Sequence, residues 1–558
     1  FDFSHVLDGG SGDNDHLTLH GRTMTSMGNV RNWEHLTLND THLSLDGMDR
    51  LDMGLSIDAT STFSASGGSR STGATTAGKV ANVPGGGITI AGDVTNAGEV
   101  TLSVQDGAAG DVIRVEGNYT NTGSGRSVFE LDAVMGADGA NTDRLEITGN
   151  ASGEIGLSLA GLDSASAGGA PLAIYVVSVD GEADDATFTL MNGNHVMSDG
   201  EHGVISGAYV YRLAEVEAQD GRNWWALSAR SESGEISWGP SAPIYDSYGA
   251  ALLALNAPAS LRNRGSSQDF RTLAWGGAGA DAAGQDTGAP LWIQMGTEQL
   301  TSAAEQSTTG AARDSSLWEM EIGADLVLSE SAAGLFVGGL MLSYGTGSTD
   351  VSSGFGDGSI ETTGLGLGLA ATWYDTRGFY VDGQVTVISY SSDLSSDSLG
   401  SLTEGNSGTG FALSIEAGQQ LDLGSRLSVI PQAQLSLSSV TFSDFTSEAR
   451  GEQRVALSDA SSQQLRLGLE FAAQDQGASG LYGIVNLYHD FGAGSTVEVA
   501  GASLTSENEA WALGVGLGGT YAWNDRVDLF GEASYATGLS NAGDTSALSA
   551  SAGLKVVF

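Results

Sequence analysis

From about residue 290 to the C-terminus, apolar residues alternate with small or polar ones, and few folds accept that pattern. In WALGVGLGGTYAW (511–523), Trp511, Leu513, Val515, Leu517, Tyr521 and Trp523 share one parity. The other parity is Ala512, Gly514, Gly516, Gly518, Thr520 and Ala522. RVDLFGEASY (526–535), QLRLGLEFAAQ (464–474), RLSVIPQAQLSLS (426–438) and GFALSIEAGQQL (410–421) behave alike. In LWEMEIGADLVL (317–328), Glu319, Glu321 and Asp325 share a face. A period of two sends successive side chains to opposite faces of a sheet.

About twelve such segments begin near residues 290, 317, 333, 360, 378, 410, 426, 462, 480, 509, 527 and 546. Their length of about 9–15 residues is that of a tilted strand crossing a bilayer. Short connections (330–334, 375–378, 422–426, 475–480, 524–526) alternate with long polar ones (346–358, 392–408, 442–462). Trp318, Trp373, Tyr374, Phe379, Tyr380, Tyr482, Tyr521 and Trp523 near strand ends predict interfacial aromatic girdles. The expectation is a twelve-stranded antiparallel transmembrane β-barrel. Because an unpaired edge in lipid is costly, the last strand must pair with the first. Leu554, Val556 and Phe558 then stand at the end of the closing strand, free to be read by assembly factors.

Composition narrows the rest. The 558 residues carry 68 acidic and 22 basic side chains, a net charge of −46. A phosphate backbone would be repelled, which excludes nucleic acid as a partner. The chain has no cysteine, so disulfides, thiolate metal sites and thiol nucleophiles are excluded. It begins with Phe1 and shows no leader pattern, which is the expectation for a processed chain or a fragment. No apolar run approaches about 18 residues, so no transmembrane helix is expected.

The first 240 residues echo themselves. HLTL occurs at 16–19 and 35–38, and HLSL at 42–45; GDVTNAG (92–98) returns as GNYTNTG (117–123), with GNASG at 149–153. Short strands at roughly 20–30-residue intervals, parted by Gly, Asn and Asp turns, predict a right-handed parallel β-helix. Denser apolar segments at 170–179, 186–190, 207–220 and 223–230 predict a cap, with Tyr209, Tyr211, Trp224 and Trp225 at its centre. Between the halves, Ile244, Tyr248, Ala251, Leu252 and Leu255 recur at helical spacing, which predicts a helix over about 243–262. Arg262, Arg264 and Arg271 cluster just after it in a cation-poor chain. An acidic lumen holding Glu319, Glu321, Asp325 and Glu470 would attract them.

In this order, GGSGDNDHLTL (9–19) with NWEHLTLNDTHLSLDG (32–47), VEGNYTNTGSGRSVFELD (115–132), GAYVYRL, NWWALS, YGAALLALNAP (248–258) and the barrel pattern resemble a monomeric (type Va) autotransporter with a pertactin-like passenger. The resemblance implies four parts: a β-helix stem at 1–120, an autochaperone or cap region at 121–235, a linker with pore helix at 236–288, and a translocator at 289–558. It implies Gram-negative type V secretion, in which the outer-membrane barrel holds the linker helix (Tyr248, Leu252, Leu255, Asn256, Arg262 and Arg264) and the passenger lies on the cell surface. Implied partners are outer-membrane lipid, the barrel-assembly machinery reading the last strand, and periplasmic chaperones; the implied state is a monomer. The asparagine pair of self-cleaving members is absent, and Asn256 alone does not establish cleavage.

Catalytic patterns are wanting. GVGLGG (514–519) fits a nucleotide-loop spacing but lies inside an alternating strand, where its glycines read as a small lumenal face. His16, His35 and His42 precede Leu-x-Leu strands and read as surface residues before metal ligands. GGSGDNDHL (9–17) departs from a calcium nonapeptide at Asn14 and His16, and GADGANTD (136–143) reads as a turn. No catalytic, metal or cofactor site is expected. Two alternatives to a bare translocator remain: a surface adhesin of unknown ligand, and a hydrolase whose catalytic part lies upstream of Phe1.

Overall fold

The computed structural model describes residues 5–67, 87–107, 109–123, 125–133, 142–161, 172–197, 200–216, 221–231, 233–258, 260–264, 267–275, 290–303, 307–424, 427–447, 454–474, 480–492, 494–507, 509–524, 526–540 and 544–557. Phe558 and most of 136–143 lie outside them. The chain divides into two units near residue 238.

The first unit is a parallel β-coil with three faces. One face stacks His16–His20, His35–Asn39, Gly54–Ile57, Val94–Asn96, Tyr119–Asn121 and the start of Ala151–Ala160. The second stacks His42–Asp46, Thr62–Ser66, Glu99–Ser103, Arg126–Asp132 and the end of Ala151–Ala160. The third stacks Arg50–Leu51, Gly87–Ile90, Val112–Val115, Arg144–Ile147 and Ala173–Val179. Alternate residues point inward, so columns such as Leu51, Ile90, Val115, Ile147 and Val179 run through a dry core. The two HLTL segments stack in register, whereas HLSL turns onto the second face.

The echo of GDVTNAG in GNYTNTG has a physical cause. Asn96 and Asn121 are paired across rungs, and the Asn96 side-chain amide donates to Asn121 Oδ1 at 2.8 Å. Asn121 Nδ2 donates to the carbonyls of Gly125 (2.7 Å) and Glu154 (2.8 Å). Both side chains are buried, where orphaned carbonyls are expensive. Asn121→Ala is therefore expected to cost the coil about 1–3 kcal/mol, measurable as a lower urea midpoint of the first unit.

At the turn beside it, Asn118 N donates to Asp93 Oδ1 (2.7 Å), Asn150 N to Asn118 Oδ1 (2.8 Å) and Glu182 N to Asn150 Oδ1 (2.8 Å). The preceding glycines form a column of backbone contact. A Cβ on Gly117 would lie 2.7 Å from the carbonyl carbon of Gly92, and one on Gly149 2.6 Å from that of Gly117. Asp143 is a second knot: its carboxylate accepts the N–H groups of Gly110, Asp111 and Asp132 at 2.7–2.8 Å. Burial pushes its carboxyl up to about 6 against the pull of those donors, from an unfolded value near 3.8. The folded coil holds this proton more tightly. Its contribution is full below pH 3.8 and is lost as pH rises to about 6. Acidification through that window should raise the wild-type midpoint relative to Asp143→Asn; parallel pH profiles would refute the assignment.

The coil ends in antiparallel strands, His202–Ser206, Tyr209–Val216 and Asn223–Ser228, the last pairing with Ala173–Val179. Tyr211 and Trp225 are buried there, and Trp225 lies 4.4 Å from the Phe188 ring. Tyr209 stacks on Trp238, and Trp224 meets the exposed Tyr175. Two of the four cap aromatics thus fill the core and two lie toward its surface.

The second unit is the barrel. Its strands are β1 (Leu291–Ser302), β2 (Ala312–Ser331), β3 (Gly334–Ser352), β4 (Gly358–Asp375), β5 (Phe379–Ser396), β6 (Gly400–Gln419), β7 (Leu427–Phe442), β8 (Arg454–Gln474), β9 (Gly480–Asp490), β10 (Trp511–Asn524), β11 (Val527–Gly538) and β12 (Ser546–Val556). Each pairs antiparallel with the next, and β12 pairs with β1 from Leu291↔Val556 to Thr301↔Ser546. A short hairpin, Gly494–Val499 with Ala502–Ser506, extends the rim beyond β9. Outward residues such as Leu365, Leu367, Leu369, Val515 and Leu517 are exposed apolar side chains on all sides, a surface that only lipid would cover.

Two expectations need correction. The long polar connections are largely strand: β3 runs to Ser352 and β5 to Ser396, leaving only 353–357 and 397–399 as turns. Hydroxyl pairs such as Ser315–Thr349 (2.8 Å) and Thr362–Ser392 (2.9 Å) satisfy each other across these extensions, so polar sequence continues the ladder. The aromatic girdle is also smaller than expected. Trp318, Trp373, Tyr521 and Trp523 face outward, but Tyr374, Tyr380 and Tyr482 are buried in the lumen.

Candidate functional site: the barrel lumen

The chain meets the barrel at its long-loop end, where Pro240 lies against Gly356 in the β3–β4 turn. Helix α1 (Ala242–Ala254) then descends inside the wall, packed on β3, β4, β5, β7, β8 and the 494–506 hairpin. It is buried around its whole circumference, which explains why its sequence is apolar and small without a polar face. Gly249 lets the wall close in, since a Cβ there would lie 2.6 Å from Ser495 Cβ. Tyr248 stacks on Phe442 at 4.4 Å. Leu252 is buried within the same packing. Asp246 is the helix's polar tie, accepting from Ser307 Oγ (2.6 Å), Thr309 N (3.1 Å) and Thr309 Oγ1 (2.9 Å).

The expected helix over 243–262 is shorter and broken. Leu255 is its C-cap, and helical geometry returns only at Leu261–Asn263 and in α2 (Ser267–Trp275). Pro258 disfavours helical geometry in the residue before it and has no N–H to donate. Asn256 holds the break. Its amide donates to Phe411 O (3.0 Å), Ser438 Oγ (2.8 Å) and Ser439 O (3.2 Å), and Tyr390 donates to its Oδ1 at 3.3 Å.

Below this point the arginines meet carboxylates from the wall. Arg262 lies 3.0 Å from Glu470 and over the Tyr482 ring at 3.7 Å. Arg264 lies 3.1 Å from Asp382 and 3.5 Å from Asp325. Arg271 lies 3.8 Å from Glu470, over Tyr380. Glu416 accepts from Leu261 N (3.1 Å), Tyr380 (2.6 Å) and Arg466 (2.8 Å). Buried arginine paired this way satisfies charges that would otherwise be stranded. Sequence parity found Asp325 and Glu470 but missed Asp382, Glu416 and Asp246. Asp382 and Glu416 share the inward parity of β5 and β6, so the signal existed; Asp246 gave none, because a lone aspartate on a helix usually faces solvent.

Between α1 and this charged layer is a cavity of about 400 Å³. Glu298, Glu319, Glu321, Glu532 and Arg466 line it. Arg262 of the linker also lines it, but among the described residues Glu319 and Glu321 form no close ion pair with a linker arginine, whereas Asp325 lies 3.5 Å from Arg264. Gly514, Gly516 and Gly518 lie on the lumenal face whereas Gly519 takes the outward parity, and a Cβ on Gly518 would sit 2.3 Å from the Tyr482 hydroxyl. Gly514 and Gly518 make room for the Tyr488 and Tyr482 rings of the neighbouring strand, and Gly516 for Ile484. On the coil, His16 and His35 stack at 4.4 Å while His42 turns to Thr62. Among the described residues no group of three His, Cys, Asp or Glu side chains is placed to hold a metal.

Comparison with known proteins agrees with this layout. Residues 291–534 match the family described as "Autotransporter beta-domain", and residues 88–213 match "Autochaperone Domain Type 1". The chain belongs to the autotransporter family. It is 34% identical over 83% of its length to the adhesin BmaC autotransporter of Brucella suis, covering 14% of that protein. It is 26% identical over 80% of its length to the probable autotransporter YfaL of Escherichia coli K12, covering 36% of it. The chain thus spans well under half the length of these relatives. The transport unit of autotransporter AIDA-I from Escherichia coli aligns to 54% of the chain, with 16% identity and a TM-score of 0.43. In this autotransporter the barrel lies in the outer membrane and the passenger is exposed at the cell surface.

Proposed function

We propose that residues 289–558 carry the autotransporter's own N-terminal part to the surface and then anchor it, and that the exported part is an adhesin stalk rather than an enzyme. The observation that carries this reading is the path of the chain. It passes from the long-loop end at Pro240, through the lumen along α1, to the short-turn end at α2 and back into β1. A chain threaded in that order enters the lumen from the long-loop end and leaves it at the short-turn end. The adhesin names of relatives support the passenger's role. Residues 1–120 serve as stem, 121–235 as the autochaperone region, whose antiparallel strands at 202–228 cap the last rungs and from which the coil folds outward, and 236–288 as linker. Each rung offers its neighbour a template, so folding outward from a cap opposes back-sliding without an energy source. The last strand, through Leu554, Val556 and Phe558, is the part the barrel-assembly machinery reads, and periplasmic chaperones hold the chain beforehand.

Protease added to intact cells should remove 1–238 and leave a protected, heat-modifiable barrel fragment. Protection of the passenger in intact cells would overturn the export reading. Cell aggregation or surface attachment that survives deletion of 5–230 would overturn the adhesin reading.

A further inference from the structure

The lumen has three levels of different character. At the long-loop end α1 is enclosed by apolar wall residues, among them Val351, Ile360, Leu394, Val497 and Leu504, all buried. In the middle is the polar cavity of about 400 Å³. The third level, toward the short-turn end, joins the ion-paired Arg262, Arg264 and Arg271 to an apolar cluster. There Leu261 and Phe270 pack with Leu335, Tyr374, Tyr380 and Ile430. The Trp275 indole donates to the Asp375 carbonyl at 2.7 Å, fixing the end of α2 to the β4–β5 turn.

The described stretches Leu261–Arg264 and Ser267–Arg271 also reach across the lumen. Their arginines and backbone contact Asp325 on β2, Asp382 on β5, Glu416 on β6, Glu470 on β8 and Tyr482 on β9. Beside Arg262 and Arg264, toward Gly519, Thr520 and Phe530, lies a void of about 20 Å³. That is room for about one water molecule, too little for a hydrated ion.

We propose that this lower segment, with α2, is a second closure of the pore, independent of α1. The finished barrel is then a sealed vestibule with a stopper at each end rather than a channel filled by one helix. An apolar constriction blocks ions because a passing ion must shed water with nothing to replace it. The two stoppers are held by different means. α1 depends on its apolar collar and on Asp246, whereas the lower segment depends on ion pairs and on the Tyr374–Tyr380 cluster. Asn256 pins the chain between them, so loosening one does not release the other. The proposal rests on the reading of the barrel as an outer-membrane pore. That reading is tested separately by surface proteolysis.

The experiment is potassium chloride conductance of the full chain in planar bilayers. An upper variant (Tyr248→Asp with Leu252→Asp), a lower variant (Phe270→Asp with Trp275→Gly) and their combination are compared, each first shown to keep heat-modifiable mobility. The upper and lower variants are expected to stay at wild-type conductance, and the combination to open. Upper-variant conductance equal to the combination would overturn the proposal, because α1 would then be the sole closure. Lower-variant conductance equal to the combination would overturn it too. Since the chain has no native cysteine, Ser436→Cys places a single thiol in the vestibule wall. A charged thiol reagent supplied from the short-turn side should label it only when the lower variant is present. Labelling in the otherwise wild-type chain would also overturn the proposal.

Discussion

Arg264→Leu is expected to destabilise the barrel by about 3–5 kcal/mol. The guanidinium is 3% exposed and sits between Asp325 and Asp382. It also donates to Thr372 Oγ1, and Thr372 in turn donates to Asp382 at 2.6 Å. Leucine would fill part of the volume but leave two buried carboxylates without the Arg264 charge, although Trp292 still donates to Asp325, and Thr372 and Gln384 to Asp382. Losing one partner of a buried ionic set costs far more than the set contributes over an apolar substitute. Exchanging all three, Arg264→Leu with Asp325→Leu and Asp382→Leu, should recover most of the loss. The measurement is the temperature at which the folded, fast-migrating gel species disappears. A wild-type value for the single variant would show that the lower segment is not held by this cluster.

Gly149→Val should damage the passenger alone, by about 3 kcal/mol or somewhat more. The new side chain would begin 2.6 Å from the carbonyl carbon of Gly117, and backbone cannot swing aside as a flexible side chain can. It would also push against Asn118 Oδ1, which accepts from Asn150 N at 2.8 Å. Rungs on both sides share this column, so the loss should spread along the coil. Protease resistance of the first unit should fall sharply while heat-modifiable mobility of the barrel is kept. Gly28→Val is the control, since a Cβ there would meet only Ser26 Oγ, at 3.6 Å. Equal losses in the two variants would show that the close stacking at Gly149 is not responsible.

Barrel, coil and connecting helix were all legible before the structure, and each for a local reason. Strands betray themselves by parity, because one face meets lipid and the other a wet lumen. Rungs betray themselves by echo, because Asn96 and Asn121, or Gly117 and Gly149, must meet their own kind one layer away. The helix showed only as apolar spacing, and its true end was misplaced by several residues because the interactions that stop it come from β6 and β7.

The sequence by itself determined which residues face which way: alternation is a property of the backbone, and a bilayer or a stacked core punishes any departure from it. What it could not determine was depth and partnership. Tyr380 and Trp373 look equally suited to an interface, yet one lies under α2 and the other in lipid. Asp325 and Glu321 share a parity, yet among the described residues only the first forms a close ion pair with an arginine. Those outcomes depend on where a segment some hundred residues away threads the lumen, and charge pairing across so long a separation is fixed only when the barrel has closed around it.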